Sequence, residues 1–135
     1  MKSAAEIVAL MLEKDAFSRW MQLSVVNLEP GSCELSMHVK EEMLNGFSIL
    51  HGGLSYSLAD SALAFAANSK GYKCVSIETS ISHVRPVKQG TILIAKANEL
   101  HRGKTIGIYE VTIHNQNEEK VALFRGTVHI SNEIW

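Results

Sequence analysis

The sequence predicts an α+β domain in which an antiparallel sheet wraps around one long helix. A single long helix of mostly apolar residues is expected in the middle of the 135-residue chain, and four strand-like segments follow it. Because short turns separate those segments, the strands are expected to form an antiparallel sheet. A long apolar helix ahead of such strands can be buried only if the sheet curves around it. The chain is long enough for one domain of this kind, residues 1–135.

The central helix is expected to follow a loop that opens at Asn45-Gly46 and passes through His51-Gly52-Gly53. From there the chain runs to Asn68 without a helix breaker, and Gly71 is a natural stop. Helical spacing divides the segment into an apolar face (Leu54, Leu58, Ala62, Phe65 and Ala66) and an outer face (Ser57, Asp60, Ser61, Ala64 and Asn68). Asp60 is therefore the one formal charge on a helix that otherwise resembles a protein core.

The other elements are predicted from hydrophobic periodicity and turn residues. A helix is expected at about 4–15, and Phe17, Trp20 and Met21 are expected to pack under the sheet. Two strands are expected at about 23–28 and 33–39, on either side of a Pro-Gly turn. The four later strands are expected at about 73–84, 91–101, 105–114 and 120–130, with hairpin-sized separators at 88–90, 102–104 and 115–118.

Composition and motifs exclude several classes of function. The net charge of −1 provides no footprint for nucleic acid or an anionic membrane. No apolar run approaches the ~20 residues of a membrane span, and no secretory signal is expected at the N-terminus. The isolated Cys33 and Cys74 favour free thiols in a reducing, cytoplasmic compartment. The histidines lack metal-ligand spacing, and serine-hydrolase, P-loop and G-x-G-x-x-G motifs are absent, so no metal or other cofactor is expected.

Asp60 and the Gly52-Gly53 pair are the strongest candidates for chemistry. A helix that begins at glycines offers free N–H groups that can stabilise an oxyanion. A carboxylate on a largely buried helix needs a partner, a water or a function; local bonding to Ser57 or Ser61 is the alternative. Gly53 and Asp60 lie seven residues apart, about 10 Å along a helix. If they cooperate, the carboxylate of one subunit must meet the glycine terminus of another.

These residues resemble the signature of the PaaI-type hotdog acyl-CoA thioesterases. The resemblance rests on Asn45, His51-Gly52-Gly53 and Leu58-Ala59-Asp60, and segments 84–86, 102–104 and 121–126 extend it over nearly the whole chain. It implies a hotdog fold and hydrolysis of an acyl-CoA to free acid and coenzyme A. Phenylacetyl-CoA and related aryl thioesters are the first substrates it suggests. It also implies a homodimer that forms the active site, and a homotetramer of such dimers.

The resemblance further implies roles for single residues. Asp60 is either the general base that activates water or a nucleophile that forms an anhydride. A backbone N–H of Gly52 or Gly53 from the neighbouring subunit stabilises the thioester oxyanion. Asn45 contacts the substrate or the attacking water, although its default role is that of a turn residue. His51 is expected to position the loop rather than to act as a general acid.

A second set of residues is implied for substrate binding. Ser76 stands where part of the family has a serine near the acid, although an outward strand residue is an equal alternative. His83 stands where aromatic residues are common in the family. Coenzyme A contacts are implied for segments 83–88 and 101–106, and the residues carried over are Arg85, Lys88, Arg102, Gly103 and Lys104. Without such a substrate, the cations among them are solvated turn charges.

Two other functions remain open from the sequence. One is a hotdog hydratase or dehydratase that acts on enoyl or hydroxyacyl thioesters, whose usual motifs are missing here. The other is an acyl-CoA-binding protein without catalysis.

Overall fold

The computed structural model describes all 135 residues, and its elements lie close to the predicted ones. In chain order they are α1 (Ala4–Lys14), α2 (Ala16–Trp20), β1 (Ser24–Glu29), β2 (Ser32–His38), a 3₁₀ turn (Glu41–Met43), α3 (Gly52–Asn68), β3 (Tyr72–His83), β4 (Ile92–Arg102), β5 (Ile106–His114) and β6 (Lys120–Ile134). No helix is both long and apolar enough to cross a membrane.

The six strands form one sheet that wraps around α3. The strand order is β1-β2-β4-β5-β6-β3, and every neighbouring pair is antiparallel. Helix α3 packs against β2 to β6, and Leu58, Leu63 and Phe65 are completely buried between helix and sheet. The α+β hotdog fold predicted from the sequence is confirmed.

Strand β2 shows why the sheet packs on the helix with one face. Cys33, Leu35 and Met37 are buried, and the alternate residues are more exposed, as a half-buried strand requires. The alternation predicted for this strand is confirmed. Strand β6 runs four residues beyond its predicted end, to Ile134.

One separator does not join neighbouring strands. Residues 88–90 were expected to form a hairpin turn between β3 and β4, and that expectation is wrong. Strand β3 pairs with β6 at the edge of the sheet, whereas β4 lies between β2 and β5. Turn residues indicate where a chain reverses but not which strand receives it. The connection from β3 to β4 instead crosses in front of the loop before α3, where the Leu50 N–H donates to the Val87 carbonyl at 2.7 Å.

The N-terminal region also departs from prediction. Asp15 caps the short helix α2, which the sequence did not predict, and α2 places Ser18 in the interior with 1% of its surface exposed. Phe17 and Trp20 therefore lie outward, half exposed and stacked on each other at a centroid distance of 5.8 Å. Their predicted place under the sheet is wrong; only Met21 is buried there.

Asn68 is buried rather than on the outer face of α3. Its amide nitrogen donates to the carbonyls of Ala64 and Cys74, at 2.8 and 3.1 Å. Its amide oxygen accepts from the Cys74 N–H at 2.9 Å and from Trp135 Nε1–H at 2.8 Å. The C-terminal strand and the start of β3 thus close over the last turn of α3, which helical periodicity alone does not indicate.

Candidate active site

Gly52 and Gly53 form the first turn of α3, and only one of their N–H groups lacks an acceptor. His51 is the N-cap, and its Nδ1 accepts the Gly53 N–H at 2.9 Å. The Leu54 N–H donates to the His51 carbonyl at 2.9 Å, whereas the Gly52 N–H has no acceptor within the chain. The first N–H groups of a helix have no intrahelical partner. Of the two glycines, only Gly52 therefore has an N–H without an acceptor in the chain.

The same contacts define what His51 does in this chain. Because Nδ1 accepts a hydrogen bond, the neutral ring carries its proton on Nε2. The ring holds Gly53 at the start of the helix, which is what the predicted positioning role requires. A Cβ on Gly53 would lie 3.0 Å from this Nδ1, so a side chain at position 53 would crowd the cap.

His83 lies directly over Gly52. A Cβ built on Gly52 would be 3.1 Å from His83 Cε1, so the missing side chain leaves room for this ring beside the acceptor-free N–H. The end of β3 therefore helps to form the surroundings of the glycine start of α3. Ser76, seven residues earlier on the same strand, is exposed.

Asn45 has one half of its amide bound to the loop. Its Oδ1 accepts the Phe47 N–H at 2.9 Å and, more weakly, the Ile49 N–H at 3.4 Å, the geometry of an Asx turn. Its Nδ2 donates no hydrogen bond within the chain. The turn role and the predicted contact with substrate or water are thus compatible, because they use different atoms.

Four of the predicted residues, Asn45, Gly52, His83 and Arg85, line one cavity of about 400 Å³. The remaining lining residues come from the loop before α3, from its first turn and from the connection after β3: Ile49, Leu50, Ser55, Val84, Pro86 and Val87. The crossing connection therefore builds one wall of the site.

Asp60 does not line this cavity, because it lies two turns further along α3. Its half-buried carboxylate accepts no hydrogen bond within the chain. Ser57 donates its hydroxyl to the Gly53 carbonyl at 2.8 Å, and Ser61 lies 2.8 Å from Ser18, so neither serine satisfies it. Burial raises the pKa of Asp60, and the negative charge of Asp15 raises it further. The structure therefore leaves Asp60 as an unpaired carboxylate of increased basicity.

The edge strand β3 leaves a second feature open. It pairs only with β6, so the backbone groups on its other edge have no partner in this chain. Val75 and Ile77 on this strand are 65% and 59% exposed. Long exposed edges with apolar side chains are surfaces to which another strand can add.

The predicted coenzyme A residues differ in their surroundings. Arg85 forms a half-exposed ion pair with Glu119 at 3.1 Å. Lys88 and Lys104 are exposed and form no ion pair within the chain. Gly103 closes the turn between β4 and β5 by donating its N–H to the Ile106 carbonyl at 2.8 Å.

Arg102 is not the solvated turn charge that the sequence suggested. Its Nη1 donates to the Ala67 carbonyl at 3.2 Å and to the Tyr109 hydroxyl at 3.0 Å. The reason is a β-bulge between Glu99 and His101, which shifts the side-chain alternation by one residue and turns Arg102 toward α3. A bulge of this kind leaves no sequence pattern. Whether Arg102 also contacts coenzyme A stays a prediction, although its guanidinium already has acceptors in the chain.

Sequence reasoning also missed the contact between the N-terminal segment and α3. Asp15 and Ser18 approach α3 next to Asp60. Asp15 is the last residue of the predicted first helix and belongs to no motif, so no pattern in the sequence distinguishes it from an ordinary helix end.

Comparison with known proteins places these features in a family. The family model described as the thioesterase superfamily matches residues 47–122. The acyl-coenzyme A thioesterase PaaI of Escherichia coli is 40% identical over 119 residues, which cover 88% of this chain and 85% of that protein. Human acyl-coenzyme A thioesterase 13 is 31% identical, covering 97% of this chain and 96% of the human one.

Solved structures agree with the sequence relatives. The structure of the E. coli PaaI protein from the phenylacetic acid degradation operon superimposes with a TM-score of 0.94, at 37% identity, covering 97% of this chain and 95% of that one. The smu.793 protein of Streptococcus mutans, solved bound to acetyl-CoA, has a TM-score of 0.81 at 26% identity, covering 84% and 91% of the two chains.

Proposed function

The chain belongs to the thioesterase superfamily and is a thioester hydrolase, and we propose that it hydrolyses an acyl-CoA to free acid and coenzyme A. The observation that carries this proposal is on α3. An acceptor-free Gly52 N–H opens the helix, and an unpaired Asp60 carboxylate lies on the same helix. Thioester hydrolysis needs these two groups, a donor for the oxyanion and a base or nucleophile.

The two groups work together only across a dimer. Gly52 and Asp60 are eight residues apart in the chain, about 12 Å along a helix, so one protomer cannot bring both to the same carbon. A two-fold axis would place Asp60 of one subunit opposite Gly52 of the other. The unpaired edge of β3 supports a dimer of this kind, because two such strands can pair with each other across the axis.

In the proposed reaction, the Gly52 N–H donates to the thioester oxygen, with the positive end of the helix dipole behind it. Asp60 either takes a proton from water as the water attacks the carbonyl carbon, or attacks that carbon itself to form an anhydride that water then cleaves. Either path expels coenzyme A as a thiolate. Because an ordinary thiol has a pKa of about 8.5, this leaving group requires no strong general acid, and His51 can keep its role as the helix cap.

The finer parts of the proposal concern substrate and assembly. Phenylacetyl-CoA and related aryl thioesters are the first candidates, supported by the similarity to PaaI. We place the coenzyme A phosphates near Lys88, Lys104 and Arg85, since phosphates need cationic partners. Assembly of dimers into a homotetramer and a cytoplasmic location, supported by two free cysteines, complete the proposal.

A thiol-release assay tests the activity. Phenylacetyl-CoA and a panel of short and long saturated acyl-CoAs should release free thiol, which a hydratase cannot do. Asp60→Asn should lower kcat by about 10²- to 10⁴-fold while binding of a non-hydrolysable analogue persists. Glu13→Gln, on the exposed side of α1, is the matched control and should leave kcat unchanged. Absence of thiol release by the wild type across the panel would refute the enzyme and leave a binding protein.

Mixing two inactive variants tests the shared site. Gly52 is the first residue of α3, where proline is well tolerated, and His51 already has the extended conformation that precedes a proline. Gly52→Pro therefore removes the N–H without breaking the helix, but its ring, like the Cβ of an alanine, must fit beside His83. The kcat should fall about 10²- to 10³-fold. Gly52→Ala, which adds a Cβ but keeps the N–H, is its control and should lose much less.

A heterodimer of Gly52→Pro and Asp60→Asn subunits contains one site with both groups intact. Mixed and refolded variants should therefore regain a substantial part of the wild-type activity. If each protomer carried a complete site of its own, mixing would restore nothing.

A further inference from the structure

The elbow between α1 and α2 is bound to α3 beside Asp60. Asp15 Oδ1 accepts the Ser18 N–H at 3.0 Å, and its Oδ2 accepts the Ser18 hydroxyl at 2.6 Å. The Ser18 Oγ lies 2.8 Å from the Oγ of Ser61, and Ser61 is the residue that follows Asp60 on α3. Ser18 is 1% exposed, so this link is shielded from water.

The direction of the two hydroxyl bonds can be assigned. An ionised carboxylate only accepts, and a serine hydroxyl has one proton to donate. Ser18 therefore donates to Asp15, and Ser61 must donate to Ser18. Two successive hydrogen bonds thus run from Ser61 to the Asp15 carboxylate, and the proton of Ser61 is directed away from Asp60.

The link holds one negative charge near another. Helix α3 carries no charged residue except Asp60. The strands that pack on it contribute the buried titratable side chains Cys33, Cys74 and Tyr109, and Arg102 is bound at the C-terminal end of the helix. Helix α1 also packs on α3, and its charged residues are Glu6, Glu13 and Lys14. None of these groups acts on Asp60 by its charge; the charge that does so is that of Asp15, between α1 and α2. Like charges at short range favour the protonated form of a carboxylate, which makes its anion the stronger base.

We propose that Asp15 is a positioning residue for the hydrolysis, held against α3 by the Ser18–Ser61 link so that it sets the reactivity of Asp60. The inference rests on the proposed role of Asp60. The competing explanation is that Asp15 merely caps α2, in which case its charge has no effect on the reaction.

Two substitutions separate these explanations. Asn is as good an N-cap as Asp, so Asp15→Asn retains the cap and removes the charge. Ser18→Ala retains the charge and removes the hydroxyl link. We expect Asp15→Asn to shift the acid limb of the kcat profile to lower pH and to lower the plateau. Activity relative to wild type should thus rise at acid pH and fall at neutral pH, a crossing that loss of folded protein cannot produce. Ser18→Ala should shift the limb in the same direction by less.

A second measurement does not depend on turnover. Asp15 and Asp60 are the only aspartates in the sequence, so protein labelled with ¹³C-aspartate has two side-chain carboxyl resonances per subunit. Asp60→Asn identifies the Asp15 signal in the wild type, and Asp15→Asn leaves Asp60 alone. The Asp60 signal should titrate at lower pH in Asp15→Asn than in the wild type.

The results of these experiments distinguish failure of the inference about Asp15 from failure of the proposed function. An Asp60 titration midpoint that is the same in Asp15→Asn and wild type would overturn the inference, even if Asp15→Asn were less stable. Retained turnover in Asp60→Asn would instead overturn the proposed function, while a shifted Asp60 midpoint would still show the coupling of the two carboxylates.

Discussion

Arg102 gives a sharp test because its two possible roles predict different measurements. If the guanidinium is structural, Arg102→Met removes the donor to the Ala67 carbonyl and to the Tyr109 hydroxyl, at 3.2 and 3.0 Å. The Ala67 carbonyl lies in the last turn of α3, where carbonyls lack intrahelical donors. Hydrogen bonds to a charged group each contribute about 1.5–3 kcal/mol. Methionine retains the apolar stem, the Tyr109 hydroxyl keeps its bond to Glu99 Oε2 at 3.1 Å, and the Ala67 carbonyl keeps a weak donor in the Cys74 thiol at 3.6 Å. The expected loss in the free energy of unfolding is therefore about 2–4 kcal/mol, less than the sum of two such bonds.

Urea unfolding at one fixed protein concentration measures this loss, and steady-state kinetics supplies the second reading. Arg102→Met should keep the KM for acyl-CoA close to the wild-type value. Lys104→Met, two residues away and without an ion pair in the chain, is the matched control. It should leave stability unchanged and raise KM if Lys104 meets a coenzyme A phosphate. An Arg102→Met protein with wild-type stability and a raised KM would refute the structural role.

Two further predictions concern the core and the thiols. Gly126→Ala should lower the free energy of unfolding in urea by about 1–3 kcal/mol, because its Cβ would lie 2.6 Å from Cδ2 of the fully buried Leu63. Gly46→Ala is the control and should lower it far less, because no atom lies within 4 Å of its Cβ. Burial raises the pKa of Cys33 to about 12 and also raises that of Cys74, so at pH 8 both remain protonated and unreactive. Native protein should therefore not react with Ellman's reagent on the time scale of a thiol-release assay, whereas the denatured chain should react at two thiols. Rapid reaction of the native protein would contradict the burial of these cysteines.

The sequence was sufficient to predict those elements whose structure depends on one local pattern. Two glycines followed by a breaker-free apolar segment predict α3, whose start at Gly52 and end at Asn68 match the expected span. The alternation of apolar and polar residues, which is also a local pattern, predicts β2. Asp60 stood out because a charge on an apolar helix conflicts with its surroundings, and conflicts of this kind are concentrated at functional sites.

The sequence was insufficient where the answer depends on residues far apart in the chain. The bulge at residues 99–101 reversed the orientation of Arg102, and nothing in the local pattern marks it. The burial of Asn68 depends on Cys74 and Trp135, which approach it only in the folded chain. The link from Ser18 to Ser61 spans 43 residues and joins two serines of unremarkable context. Such contacts follow from the tertiary structure and have no periodicity of their own.

The position of β3 connects the two halves of the proposed site. If β3 had formed a hairpin with β4, the end of β3 would have led directly into a tight turn, and the chain would not have crossed the start of α3. Because β3 lies outside β6, one of its edges has no partner strand in this chain, as the proposed dimer requires. The chain must then return across the start of α3 to reach β4, which brings Arg85 to the cavity beside Gly52, next to His83 at the end of β3. A single topological choice therefore supplies both a surface for the proposed dimer and a wall for the cavity beside Gly52.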